Sequence, residues 1–124
     1  MTTVFNSFRY AVNGIAYFFR TQMNARIHLV ALLFVIILGF LLRVSLSEWL
    51  WLTVVSGLVF TAEAFNTSIE ILVDLVSPEW NQKARKIKDV AAGAVLITAI
   101  TALAVAFTIF LPKLIWLGIL LINE

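Results

Sequence analysis

Cysteine is absent from the 124 residues, which excludes disulfides, thiolate nucleophiles and cysteine metal sites. Charge is scarce too: 13% of residues are Asp, Glu, Lys or Arg, about half the share of an ordinary soluble domain. The formal net charge of +2 is too small to argue for a nucleic-acid partner. No GxxxxGK[ST] or GxGxxG signature appears, and no HRD or DFG set. Internal repeats, low-complexity tracts and Gly/Ser linkers are lacking as well. The N-terminus shows no short apolar run followed by a small-residue cleavage site, so no cleaved signal peptide is expected.

What is abundant is hydrophobic surface, at 62% of residues with a mean hydropathy of +1.02. These values describe an all-α integral membrane protein. The chain has room for about three spanning helices of roughly 20 residues each, so residues 1–124 read as one membrane domain. Residues 5–20, FNSFRYAVNGIAYFFR, repeat apolar side chains at helical spacing around Arg9, Asn13 and Arg20, which predicts an amphipathic helix on the membrane surface. The first span is expected at about 26–43, where Arg26 and Arg43 bracket the run HLVALLFVIILGFLL and can snorkel to the headgroups. His28 at its start reads as an interfacial side chain. A turn, VSLSE, leads to a second span at about 49–76, opened by Trp49 and Trp51 at aromatic-belt positions. The polar loop SPEWNQKARKIKD then gives way to a third span at about 90–111, which Pro112 and Lys113 are expected to close. The tail LIWLGILLIN is too short to cross again and reads as interfacial or as a bent continuation of the third helix. Arg9, Arg20 and Arg26 precede the first span, and Lys83, Arg85, Lys86 and Lys88 lie between the second and third. The positive-inside rule therefore places the N-terminus and the 77–89 loop in the cytoplasm, with only Arg43 and Lys113 on the other side.

Within the second span, TAEAFNTSIEILVDL carries carboxylates at Glu63, Glu70 and Asp74. At about 100° per residue, Glu63, Asn66, Thr67, Glu70 and Asp74 share one helix face. Fourteen residues from Trp49 to Glu63 correspond to roughly 21 Å in a hydrocarbon layer about 30 Å thick. Glu63 is thus submerged, while Glu70 and Asp74 reach the headgroups. A carboxylate at that depth costs a few kcal/mol unless paired, protonated or solvated, which makes it a functional candidate by default. The plainer alternative is a polar clamp between helices. Low dielectric disfavours the charged form, so Glu63 is suited to accepting a proton. Glu70, nearer water, is suited to a hard divalent cation, and Asp74 reads as an interfacial charge. Lys88 opens the third span beside Asp89, where an ammonium and a helix N-terminus both favour phosphate, although Asp89 equally suits a helix N-cap. Lys83, Arg85 and Lys86 serve topology and attraction to anionic lipid. A stripe of carboxylates is also compatible with an ion path in a small oligomeric transporter or channel, or with an adaptor in which it only packs.

The motifs EAFNTSIE, VDLV, SPEW and KDVAAGAVL, with NARIHL before the first span, together resemble the prokaryotic diacylglycerol kinase family, small three-span membrane kinases that include undecaprenol kinases. The resemblance covers nearly the whole chain. It implies ATP- and Mg2+-dependent phosphorylation of a lipid alcohol at the cytoplasmic face of the inner membrane, by a homotrimer whose protomers share the active site. Position by position it implies Glu63 as base, Glu70 as metal ligand and Asn66 between them, with Lys88, Asp89 and Glu79 at the nucleotide. Two departures stand out. Gln22 occupies a position where many members carry a second metal-binding glutamate, and Trp80 and Asn81 replace a tyrosine and a histidine of the best-known members.

Overall fold

The computed structural model describes residues 3–123. They form four helices, α1 (Val4–Thr21), α2 (Met23–Leu41), α3 (Leu46–Val76) and α4 (Gln82–Ile122), with no strand among the described residues. Three of them, α2, α3 and α4, are long and apolar enough to cross a membrane. The chain is an integral membrane protein. Its apolar side chains point mostly outward: Val30, Phe34 and Ile37 of α2 and Ile97, Ile100 and Phe107 of α4 are all exposed, as a lipid-facing or subunit-facing surface requires.

Three of the four helices, all but α2, start where a polar side chain takes an orphan backbone N–H. Thr3 accepts from Asn6, Ser45 from Glu48, and Asn81 from Lys83 and Ala84. Gln22 alone separates α1 from α2, its backbone extended at φ −103°, ψ 117°. The turn from α2 to α3 is also tight. Val44 N–H bonds Gly39 C=O at 3.0 Å and Arg43 N–H bonds Phe40 C=O at 3.4 Å, with Arg43 left-handed at φ 52°. This is a Schellman stop in which an arginine holds the position glycine usually takes. It ends at Ser45, so Leu46–Glu48 of the expected VSLSE turn are already helical.

α3 packs principally on α4 as an antiparallel hairpin. Ion pairs close both ends: Asp74 with Lys88 at one, Glu48 with Lys113 at the other, the latter at 3.3 Å. The α3 length between them is about 39 Å at 1.5 Å per residue, enough to clear a hydrocarbon layer of about 30 Å. The apolar core, Val44, Leu52, Ile109 and Phe110, lies at the Glu48–Lys113 end. From there the buried seam of α3 runs Leu52, Val55, Val59, Glu63, Asn66, turning polar at Glu63 without leaving the face.

Two expectations about α4 are corrected. Pro112 does not close the helix, which continues to Ile122, so of the two expectations for the apolar tail the continuation of the third helix holds. Proline costs one i to i−4 hydrogen bond, and the apolar residues on both sides of it favour the helix that satisfies the remaining backbone groups in lipid. The polar loop is short as well, because α4 begins at Gln82 rather than near Asp89. Between α3 and α4 only residues 77–81 lie outside helix.

A close approach fixes α2 against the start of α3. A Cβ on Gly39 would fall 2.8 Å from Trp49 Cζ2 and nearer still to Cη2, and the indole is also packed against Phe40 at 5.1 Å between ring centres. Gly39→Ala should therefore cost about 1–3 kcal/mol through overpacking, read as a lowered unfolding midpoint in detergent, and Trp49→Leu in the same chain should recover most of it.

Candidate active site

The polar half of the α3 seam gathers the residues singled out in the sequence. Glu63 is 2% exposed, Thr67 4% and Asn66 7%. Glu70 is half-buried and Asp74 exposed, so burial grades along the helix toward the Asp74–Lys88 end. Glu63 lies eleven residues from Asp74, about 16 Å along the axis. Centring a layer of about 30 Å on the hairpin puts Glu63 roughly 12 Å below the hydrocarbon surface and Glu70 within a turn of it.

Within this seam the side chains are partly paired. Asn66 Nδ2 donates to Glu70 Oε1 at 3.2 Å, one helical turn away. That bond orients the Glu70 carboxylate and leaves Asn66 Oδ1 free. Both Asn66 Oδ1 and Thr67 Oγ1 are buried with no hydrogen-bond partner among the described residues. Glu63 forms no ion pair among the described residues. Each unpaired buried polar atom costs about 1–3 kcal/mol, so a cluster of them calls for an explanation beyond packing.

Beyond Asp74 a cleft of about 150 Å3 opens between the ends of α3 and α4, lined by Asp74, Glu79, Arg85 and Lys88 among others. Lys88 donates to Asp74 Oδ1 across it. Asp74, read from the sequence as a bare interfacial charge, thus has a defined partner. Lys88 and Asp89 lie inside α4 rather than at its expected start, because Asn81 supplies the N-cap. Asp89 is not a cap but pairs with Arg85 at 3.1 Å, one turn back on the same helix. Glu79 lies exposed in the connection, where its carbonyl accepts from Ser77 Oγ at 3.3 Å. Gln22 sits at the α1–α2 junction, its amide donating to Thr21 Oγ1 at 3.2 Å. No hydrogen bond links Gln22 to Glu70 among the described residues.

An apolar cleft of about 260 Å3 runs between α2, α3 and α4 at the level below Glu63, lined by His28, Ser56, Phe60, Ala99 and Ala102 among others. His28 is turned edge-on to Phe60, 6.3 Å between ring centres. Phe60 and Ser56 were not singled out in the sequence, since an aromatic and a hydroxyl in a spanning helix carry no signal of a cleft by themselves.

With the geometry in hand, comparison with known proteins decides the family. The profile described as prokaryotic diacylglycerol kinase matches residues 9–110. The chain belongs to that family. An undecaprenol kinase of Bacillus subtilis is 40% identical over 110 residues, covering 89% of each chain. A diacylglycerol kinase of Synechocystis sp. is 42% identical over 110 residues, which are 88% of this chain and 63% of that relative. This family member is therefore an enzyme, a membrane-embedded lipid kinase. The buried polar seam of Glu63, Asn66 and Thr67 lies on α3, and the cleft lined by Asp74, Glu79, Arg85 and Lys88 opens at the C-terminal end of the same helix.

The side chains of Asp74 and Lys88 are 66% and 32% exposed. A double-mutant cycle with Asp74→Ala and Lys88→Ala, read by unfolding in detergent, should accordingly give a coupling of no more than about 1 kcal/mol. A larger coupling would make the pair a structural lock rather than an exchangeable contact.

Proposed function

We propose that this kinase transfers the γ-phosphoryl group of ATP to a long-chain lipid alcohol at the cytoplasmic membrane interface, with Glu63 as general base. The observation that carries the proposal is the 2% exposed Glu63 carboxyl, without an ion pair, on the same helix face as Glu70. Undecaprenol is the favoured acceptor, because similarity to the undecaprenol kinase extends over 89% of both chains. Diacylglycerol is the second reading, supported by the 42% identical relative.

In this reading Glu63 takes the proton of the lipid hydroxyl as its oxygen forms a bond to the γ-phosphorus and the bond to the ADP oxygen breaks. Such a transfer asks the protein mainly for positioning and charge stabilisation. Lys88 exchanges Asp74 for polyphosphate oxygens, and Asp89 and Glu79 orient the nucleotide from the rim of the cleft. Asn66 holds the Glu70 carboxylate in one orientation through its amide. The apolar cleft below, with His28 and Phe60 on its wall, provides a dry bed for the acceptor's hydrocarbon chain.

The donor set suits Mg2+ of the kind kinases use. No group of three His, Cys, Asp or Glu that could hold an ion exists among the described residues, but Mg2+ commonly takes only one or two carboxylates together with substrate phosphates and water. Glu70 would hold it, Gln22 is the second proposed oxygen donor, and when bound the ion would neutralise polyphosphate charge. Gln22 brings an uncharged oxygen where an acid would bring a full charge. We further place the enzyme in the bacterial inner membrane as a homotrimer with sites shared between protomers, the N-terminus and the 77–89 segment cytoplasmic. The basic residues flanking the spans support that orientation, and α1, with its outward Phe5, Phe8 and Ile15, is proposed to lie on the same surface.

Glu63→Gln should lower turnover by about 100-fold or more, as loss of a general base does, with the unfolding midpoint retained. Full turnover in that variant would remove the assignment. Glu70→Gln should shift the Mg2+ titration to higher concentration, and Gln22→Glu should shift it to lower. An unchanged titration in either would take that residue out of the metal site.

A further inference from the structure

Thr67 has no role in the mechanism above, yet its hydroxyl is the least explained polar group in the hairpin. Hydroxyls inside helices usually bond the carbonyl one turn earlier, and those of Thr21, Thr53, Thr101 and Thr108 do so here, as does that of Ser68 beside it. Thr67 does not, although it is 4% exposed and its oxygen is shut off from solvent. The neighbouring Asn66 Oδ1 is in the same condition. Residues three and four apart are neighbours on a helix, with Cβ atoms about 5–6 Å apart, so Asn66 and Thr67 both flank Glu63.

We infer that Thr67 is a positioning residue for Glu63: its unpaired hydroxyl, one helical turn from the carboxyl, donates to it when the Glu63 side chain turns toward the substrate, with the unpaired Asn66 Oδ1 as the complementary acceptor. The inference rests on the reading of Glu63 as base. The two orphan atoms differ in what they can do. A hydroxyl can donate, whereas Asn66 Oδ1 can only accept, its Nδ2 being committed to Glu70. An ionised carboxylate needs a donor and a protonated one needs an acceptor. Thr67 therefore aligns Glu63 before it takes the lipid proton, and Asn66 Oδ1 receives the carboxylic O–H afterwards. The proton ends on Glu63, while the Thr67 proton stays on Thr67 throughout. A purely packed position would be served better by valine, which has the same shape and no unpaired hydroxyl.

That comparison is the test. Thr67→Val should lower kcat about 10- to 100-fold, the worth of a hydrogen bond to a charged group. The KM for ATP should stay within about twofold, since the lost contact acts on the base rather than on nucleotide binding. Its unfolding midpoint should be equal to or above that of the parent chain, and Thr67→Ser should restore most of kcat. Wild-type kcat in Thr67→Val, alongside an inactive Glu63→Gln, would overturn the role of Thr67 and leave Glu63 as base. A loss of kcat that tracks a lowered unfolding midpoint and is not rescued by serine would also overturn it, as a packing effect. Full activity of Glu63→Gln would remove the base and its positioning residue together.

Discussion

A carboxyl group held inside the hydrocarbon layer is the constraint on which the rest of this protein depends. Lipid offers Glu63 neither water nor counterion, so the protein must cover it, and Glu63 is covered to 2% exposure. Covering it requires α3 and α4 to stay in register over the full bilayer. The ion pairs Glu48–Lys113 and Asp74–Lys88 mark that register at the two ends of the hairpin. Apolar packing is concentrated at the Glu48–Lys113 end, around Leu52, Ile109 and Phe110, and this leaves the other end free to carry polar side chains on the same seam.

The gradient along α3 gives two chemically similar residues different capacities. Glu63 is enclosed, whereas Glu70 is half-buried and held by Asn66. Enclosure keeps water from Glu63, whereas partial exposure with a fixed orientation leaves Glu70 within reach of a hydrated cation. Lys88, engaged with Asp74, stands ready at the cleft without being left as an isolated charge in an apolar setting. Phosphoryl transfer asks a protein mainly for positioning and charge stabilisation.

Much of this was legible in the sequence. Hydropathy identified the three spans, and the period of 3.6 residues put Glu63, Asn66, Thr67 and Glu70 on one face, because both signals come from the backbone geometry of a single helix. What escaped depended on relations between helices or on competition among local signals. The Asp74–Lys88 pair joins residues on two helices and follows from the register of the hairpin, which no spacing within one helix reveals. The charge of residues 83–89 reads as loop, yet lysine and arginine are good helix formers and Asn81 is the stronger start signal. Pro112 signals a helix end, but the apolar residues around it demand helix on both sides in a membrane. The unpaired state of Thr67 Oγ1 and Asn66 Oδ1 follows from rotamers, which the sequence does not encode in any pattern of residues.

The central claim, that the buried seam of α3 serves phosphoryl transfer rather than ion passage, is tested most directly with the purified wild-type protein in vesicles carrying undecaprenol or diacylglycerol, supplied with γ-labelled ATP with and without Mg2+. The account predicts label appearing in the lipid phosphate, greatest with undecaprenol and dependent on Mg2+, with no ion flux across the vesicle membrane. Ion flux without labelled lipid from either acceptor would contradict it.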